Sequence, residues 1–117
     1  MTNKIVLKGI VPSKKNSRIN TRSGLSFPSS KYTAWHKDAV IQLAGVKNIP
    51  SGTPLVFTYY SDSKRSGDLS NKWQSIEDTF TDCGIIEDDN WFILPDIHMK
   101  FGGVDKINPR AEIEYEI

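Results

Sequence analysis

Apolar residues recur along this chain with two distinct periods, and the places where the period changes divide it into elements. Ile5, Leu7 and Val11 alternate in part with Lys4 and Lys8, which predicts a first strand ending at Pro12. Ser13 to Ser30 carries Asn16, Asn20, Ser23, Gly24 and Pro28 and reads as a loop. Its length in so small a chain favours a binding loop or a short hairpin over a plain linker. A helix is predicted from about Ser30 to Ala44, with Tyr32, Trp35, Ala39 and Leu43 inward and Gly45 beyond its end. After the turn at Pro50, Ser51 and Gly52, the β-favouring run Leu55 to Tyr60 predicts a second strand.

The second helix is the best marked. Leu69, Trp73, Ile76, Phe80 and Cys83 fall within an arc of about 80° at 100° per residue, one apolar stripe facing a sheet. Asp68, Asn71, Lys72, Ser75 and Asp78 fall on the other side, and Gly84 ends the helix. A third strand is expected from Trp91, with Trp91, Ile93, Ile97, Met99 and Phe101 on one face and Asp96, His98 and Lys100 on the other. The last strand alternates most clearly: Ala111, Ile113, Tyr115 and Ile117 inward, Arg110, Glu112, Glu114 and Glu116 outward. The order β-α-β-α-β-β predicts a single α+β domain over residues 1–117, with a mixed or antiparallel four-stranded sheet carrying two helices.

Composition narrows the class. With 117 residues, 38% of them hydrophobic, the core is modest, and a homodimer is a natural way to enlarge the buried surface. One cysteine rules out an intrachain disulfide, and with two histidines it argues against tetrahedral zinc. No apolar run is long enough to span a membrane and Met1 to Lys8 has no signal-peptide core, so a cytoplasmic protein is expected.

The net charge of +1 conceals a separation of sign. The first 37 residues hold Lys4, Lys8, Lys14, Lys15, Arg18, Arg22, Lys31 and Lys37 and no acid, whereas Asp68 to Asp89 holds seven acids against Lys72 alone. A basic arm beside an acidic pocket suits a polyanion held over metal ions; solvated faces of opposite sign are the plainer alternative.

Five carboxylates bracket the second helix: Asp68 at its start, Asp78 along it, and Glu87, Asp88 and Asp89 in the turn beyond. A strand running back beside that helix would return Asp89 towards Asp68. Carboxylate oxygens hold hard divalent cations, which activate water and offset charge developing on a phosphate. Asp68 is equally a natural N-cap, and Asp78 a solvated helix residue or a partner of Lys72. His36 and His98 fit surface or capping positions, and Cys83 a core position. The stretch from Asp62 to Gly67 resembles the start of an EF-hand loop but fails at Lys64 and at Trp73, where ligands are required.

Pro12-Ser13-Lys14-Lys15-Asn16 is similar to the Pro-x-Ser-Lys-Asn loop of the RusA-type Holliday junction resolvases of bacteria, phages and prophages. Asp68-Leu69-Ser70-Asn71, Asp78, Gly84 and Asp88-Asp89 resemble that family's core signature in order and spacing. The resemblance implies a small α+β homodimer that binds four-way DNA junctions and nicks two strands symmetrically with magnesium or manganese. It makes Asp68 and Asp89 metal ligands, with Asp88 beside them and Ser70 and Asn71 as secondary candidates. Ser70 and Gln74 stand where the family usually has aspartate and lysine. A hydroxyl is a poorer ligand than a carboxylate for a hard cation, and Lys72, the remaining catalytic cation candidate, lies roughly 160° around an ideal helix from position 74.

Lys14, Lys15, Asn16, Arg18 and Arg22 in the basic loop, with Lys64 and Arg65 ahead of the acidic segment, are the DNA-phosphate candidates. Two rival expectations are a branched-DNA-binding module of the same fold that has lost its chemistry, and a small structural or protein-interaction domain exposing Glu112, Glu114 and Glu116.

Overall fold

A computed structural model describes residues 2–13, 18–20, 24 and 26–117, with side chains left out at 18–20 and 26–28. The expected α+β order is present. Strand β1 (Thr2–Lys8) is followed by a short hairpin, β2 (Arg18–Asn20) and β3 (Ser26–Pro28), then α1 (Ser30–Gln42), β4 (Leu55–Ser61), α2 (Leu69–Asp82), β5 (Ile97–Val104) and β6 (Arg110–Glu116). The sheet is mixed, in the order β1-β6-β4-β5: β6 pairs antiparallel with both β1 and β4, while β4 and β5 run parallel. The parallel pair needs a crossover, and α2 supplies it. The hairpin pairs Arg18 with Pro28 and Asn20 with Ser26, the hairpin alternative of the loop expected there.

Both helices bury their apolar sides in one core against one face of the sheet. Ala39 and Leu43 of the α1 segment and Trp73, Ile76 and Phe80 of α2 meet Ile5, Leu7, Phe57, Tyr59, Ala111 and Ile113. α1 packs towards β1 and α2 towards β5. The end of α1 is fixed to β1 by Gln42, whose side-chain amide accepts from the Lys8 amide at 2.8 Å and donates to the Lys8 carbonyl at 3.0 Å. His36 joins the helices: its Nδ1 lies 3.0 Å from Thr79 Oγ1 and its Nε2 3.5 Å from Asp82.

Several sequence expectations need correction. The first strand stops at Lys8, so Val11 is buried without belonging to the sheet. Trp91 does not begin a strand: Asn90 Oδ1 accepts the amides of Phe92 and Ile93, turning the backbone, and Trp91 is 76% exposed. The third core-sheet strand therefore starts at Ile97, and because β5 is a sheet edge, Phe101 is 56% exposed rather than covered. Ser75, placed on the solvent side by periodicity, is fully buried. Glu112, expected to face out, is on the open sheet face but is sealed there by Lys4 at 2.8 Å and Arg110 at 2.7 Å. Ile117 lies past the end of β6 and is exposed.

On that open face the Arg110 guanidinium also binds Asp105 at 2.9 Å and lies 3.9 Å over the Tyr60 ring. The Tyr60 ring occupies the space a side chain at position 102 would take: a Cβ added to Gly102 would fall 2.6 Å from the ring. Gly102→Ala should therefore displace Tyr60 and destabilise the fold by about 1–3 kcal/mol. Denaturant unfolding measures this, and an unchanged midpoint would show that Tyr60 is not held against the β5 backbone.

Candidate functional site

The carboxyl ends of parallel strands β4 and β5 open into a cleft, and the amino end of α2 meets them there. Crevices outside the carboxyl ends of parallel strands are common ligand positions because the loops that leave them can vary while the strands hold their places. The cleft has a volume of about 1040 Å³ and includes the whole connection from Ser61 to Asp68. The connection turns at once, since Ser61 Oγ donates to the Ser63 carbonyl at 2.8 Å and accepts the Ser63 amide at 3.2 Å. It ends at Asp68, which has extended backbone angles and caps α2: Oδ1 accepts the Ser70 amide at 2.9 Å and the Ser70 hydroxyl at 2.7 Å. The capping alternative is thus observed, and the same carboxylate lies in the cleft wall.

Four cations line this cleft, Lys31, Lys64, Arg65 and Lys72, against two anions, Asp62 and Asp68. Lys64 and Arg65 are exposed. Lys72 is half-buried and has structural duties: its ammonium donates to the Val11 carbonyl and lies 5.5 Å from the centre of the Tyr59 ring. Burial pulls the Lys72 ammonium below its usual range, with nearby Lys31 acting in the same direction and Asp62 opposing. Burial pushes the Tyr59 phenol up, while its oxygen accepts the Val11 amide at 3.2 Å. Completing this seam, Ser75 Oγ donates to the Pro12 carbonyl at 2.6 Å, which explains the burial of a serine on an otherwise polar helix side.

The acidic residues beyond α2 form a separate arrangement. Backbone hydrogen bonds from Ile49 to Ile85 (2.6 Å) and from Gly52 to Ile93 (2.9 Å) stitch the post-helix segment to the lead-in of β4. Asp88 Oδ1 accepts the Asp89 amide at 2.8 Å and Oδ2 accepts from Asn90 Nδ2 at 3.3 Å. The backbone hydrogen bond from Asp89, above all, holds the Asp88 carboxyl below the usual carboxylate range. Asp89 approaches Glu77, nine residues beyond Asp68 and about 13.5 Å along the helix axis. Trp73 Nε1 donates to Glu77 Oε2 at 2.7 Å. Burial drives the Glu77 carboxyl up to about 7, the Asp89 and Asp78 charges adding to the rise and the indole hydrogen bond opposing it.

The structure thus gathers Asp68, Lys64, Arg65 and Lys72 around one cleft and puts Asp88 and Asp89 in a turn against Glu77. Ser70 is exposed and Asn71 half-buried, neither lining the cleft. Among the described residues no three His, Cys, Asp or Glu side chains are grouped to hold a metal ion. The donor chemistry nonetheless suits magnesium, which takes oxygen ligands and commonly only one or two protein carboxylates beside substrate phosphate and water. Lys14, Lys15, Asn16 and Arg22 lie outside the described residues, and Arg18 is described only as backbone of β2.

Sequence reasoning missed Glu77, Lys31, Tyr59 and Phe101. Glu77 had a usable signal, being the i+4 neighbour of Trp73 on α2, where side chains four apart meet. Phe101 had none, because only the strand order reveals that β5 is an edge. No family model matches the chain, and neither does any curated protein.

Because the Glu77 pKa is raised on folding from 4.5 to about 7, its contribution to stability is fully present below pH 4.5 and is lost as pH rises through 7. Thermal unfolding followed from pH 4 to 8 should show wild type losing stability relative to Glu77→Gln across that window. Parallel curves would remove Glu77 as the cause.

Proposed function

We propose that this chain is a metal-dependent endodeoxyribonuclease acting on four-way and related branched DNA. The observation that carries the reading is the cleft, in which Asp68, the first residue of the resolvase-like signature, stands with Lys31, Lys64, Arg65 and Lys72. Cations there draw the phosphate backbone without reading its sequence, so recognition falls to the shape of the branch. Exposed Lys64 and Arg65 are assigned to phosphate contact.

Asp68 is held in one orientation by the Ser70 amide and hydroxyl, so its carboxylate is already ordered before substrate arrives. Asp68 is the carboxylate we assign to the cation at the cleft; Asp88 and Asp89, expected beside it, stand instead by Glu77, about two and a half turns farther along α2, too far to share one ion with it. Magnesium or manganese, when bound, supplies a Lewis acid that activates water and offsets charge on the phosphate. Lys72 is assigned to positioning, since its ammonium ties α2 to the Val11 carbonyl. A homodimer related by a two-fold axis would present two such clefts to a branched substrate and yield paired cuts.

One observation favours a second reading, a binding module without chemistry. The Ser70 hydroxyl donates to Asp68 Oδ1 at the position where the resolvase pattern has another carboxylate. Nicking of a labelled four-way junction with and without magnesium or manganese separates the two. The nuclease makes symmetric, metal-dependent cuts that Asp68→Asn abolishes while junction binding persists. Junction binding without cleavage under either metal would establish the module instead.

Joint replacement Lys64→Gln with Arg65→Gln should weaken binding to junction and duplex alike. It should also reduce the slope of log K against log salt by about 2. An unchanged slope would remove these residues from the phosphate contacts.

A further inference from the structure

The walls of the cleft are of two kinds. Beside the four cations stand Phe101, Ile10 and Val104, side chains that are 56%, 46% and 41% exposed. Phe101 pairs in register with Tyr59 across β4 and β5, but Tyr59 is buried beneath the strap from Val11 to Pro12 and Phe101 is not. An aromatic ring left open on the floor of a cationic crevice offers a π-face next to phosphate-binding groups. Duplex DNA cannot use that face, because its bases are stacked on each other. An unpaired base can, and aromatic platforms flanked by cations are how single strands are held. Lys31 and Lys72 line the same cleft with like charges, and an anion between them would be attracted by both.

We infer that this cleft is a subsite for an unpaired nucleotide of a DNA strand, its base stacked on Phe101 and its flanking phosphates on Lys31, Lys64 and Arg65. The volume of about 1040 Å³ admits a nucleotide together with its neighbouring phosphates. The inference rests on the reading of the chain as a DNA-binding protein and deepens it. At a branch point the paired arms leave bases that can be drawn out singly. A protein that stabilises one such base in the cleft prefers branched DNA to linear duplex with no base-specific contact.

Fluorescence anisotropy of a labelled oligothymidylate with the full chain tests this directly. Wild type is expected to bind it, Phe101→Ala to bind about 5- to 150-fold more weakly, and Phe101→Tyr to recover most of the affinity. Thermal unfolding of each variant confirms that the exposed edge position has not cost the fold. A second readout is 2-aminopurine at the centre of a four-way junction, whose fluorescence should be quenched by wild type and released in Phe101→Ala. Equal oligothymidylate affinity in wild type and Phe101→Ala overturns the inference, as does tighter binding of oligouridylate, which would make the ligand RNA. Metal-dependent junction nicking with no single-strand binding overturns the inference and leaves the nuclease standing. Binding that depends on Phe101 without any nicking upholds the subsite and removes the nuclease.

Discussion

The seam between the chain leaving β1 and the amino half of α2 governs the rest of this structure. Beyond Lys8 the backbone departs from the sheet, so the polar groups of Val11 and Pro12 lose the ladder that would have satisfied them. Buried backbone groups left without partners cost roughly 1–3 kcal/mol each. Three side chains from two elements meet that need: the Tyr59 hydroxyl takes the Val11 amide, Lys72 the Val11 carbonyl and Ser75 the Pro12 carbonyl. The strap is thereby fixed over the core, against the amino half of α2.

That seam also explains why one helix carries both structural and site residues. Trp73, Ile76 and Phe80 anchor α2 to the sheet, Lys72 and Ser75 hold the strap, and Asp68 caps the amino end inside the cleft. The geometry of the cleft therefore depends on packing that is set farther along the helix. The α2 crossover between parallel strands fixes the remaining wall, because it puts the carboxyl ends of β4 and β5 side by side and leaves Phe101 on an edge.

Charge is organised by the same constraint. Cations gather where the strap, α1 and the β4–α2 connection converge, while carboxylates gather at Glu77 and Asp89, where the post-helix segment returns against α2. The open sheet face settles its own charges among Lys4, Glu112, Arg110 and Asp105, with Tyr60 beneath the guanidinium. These three groupings separate a cation-rich cleft, an acidic turn and a self-compensated sheet face within one small domain.

Periodicity alone determined the α+β class, the order of the main elements and most of the core, because alternation in β6 and the stripe on α2 are local consequences of strand and helix geometry. The positions of several candidate residues were equally legible: Asp68 at a helix start, Lys64 and Arg65 before it, and the acidic turn beyond Gly84. Local pattern misassigned Trp91, which sits in a turn built by neighbouring Asn90, and it misassigned Ser75, Glu112 and Phe101 for reasons that lie outside their own segments. Ser75 is buried by a carbonyl 63 positions away, Glu112 by cations on two strands, and Phe101 is exposed because no strand follows β5 at the edge. Sequence thus determined which faces are apolar and which residue types are present. Only the tertiary structure decided which polar groups meet, since hydrogen bonds and ion pairs between distant segments leave no period in the chain.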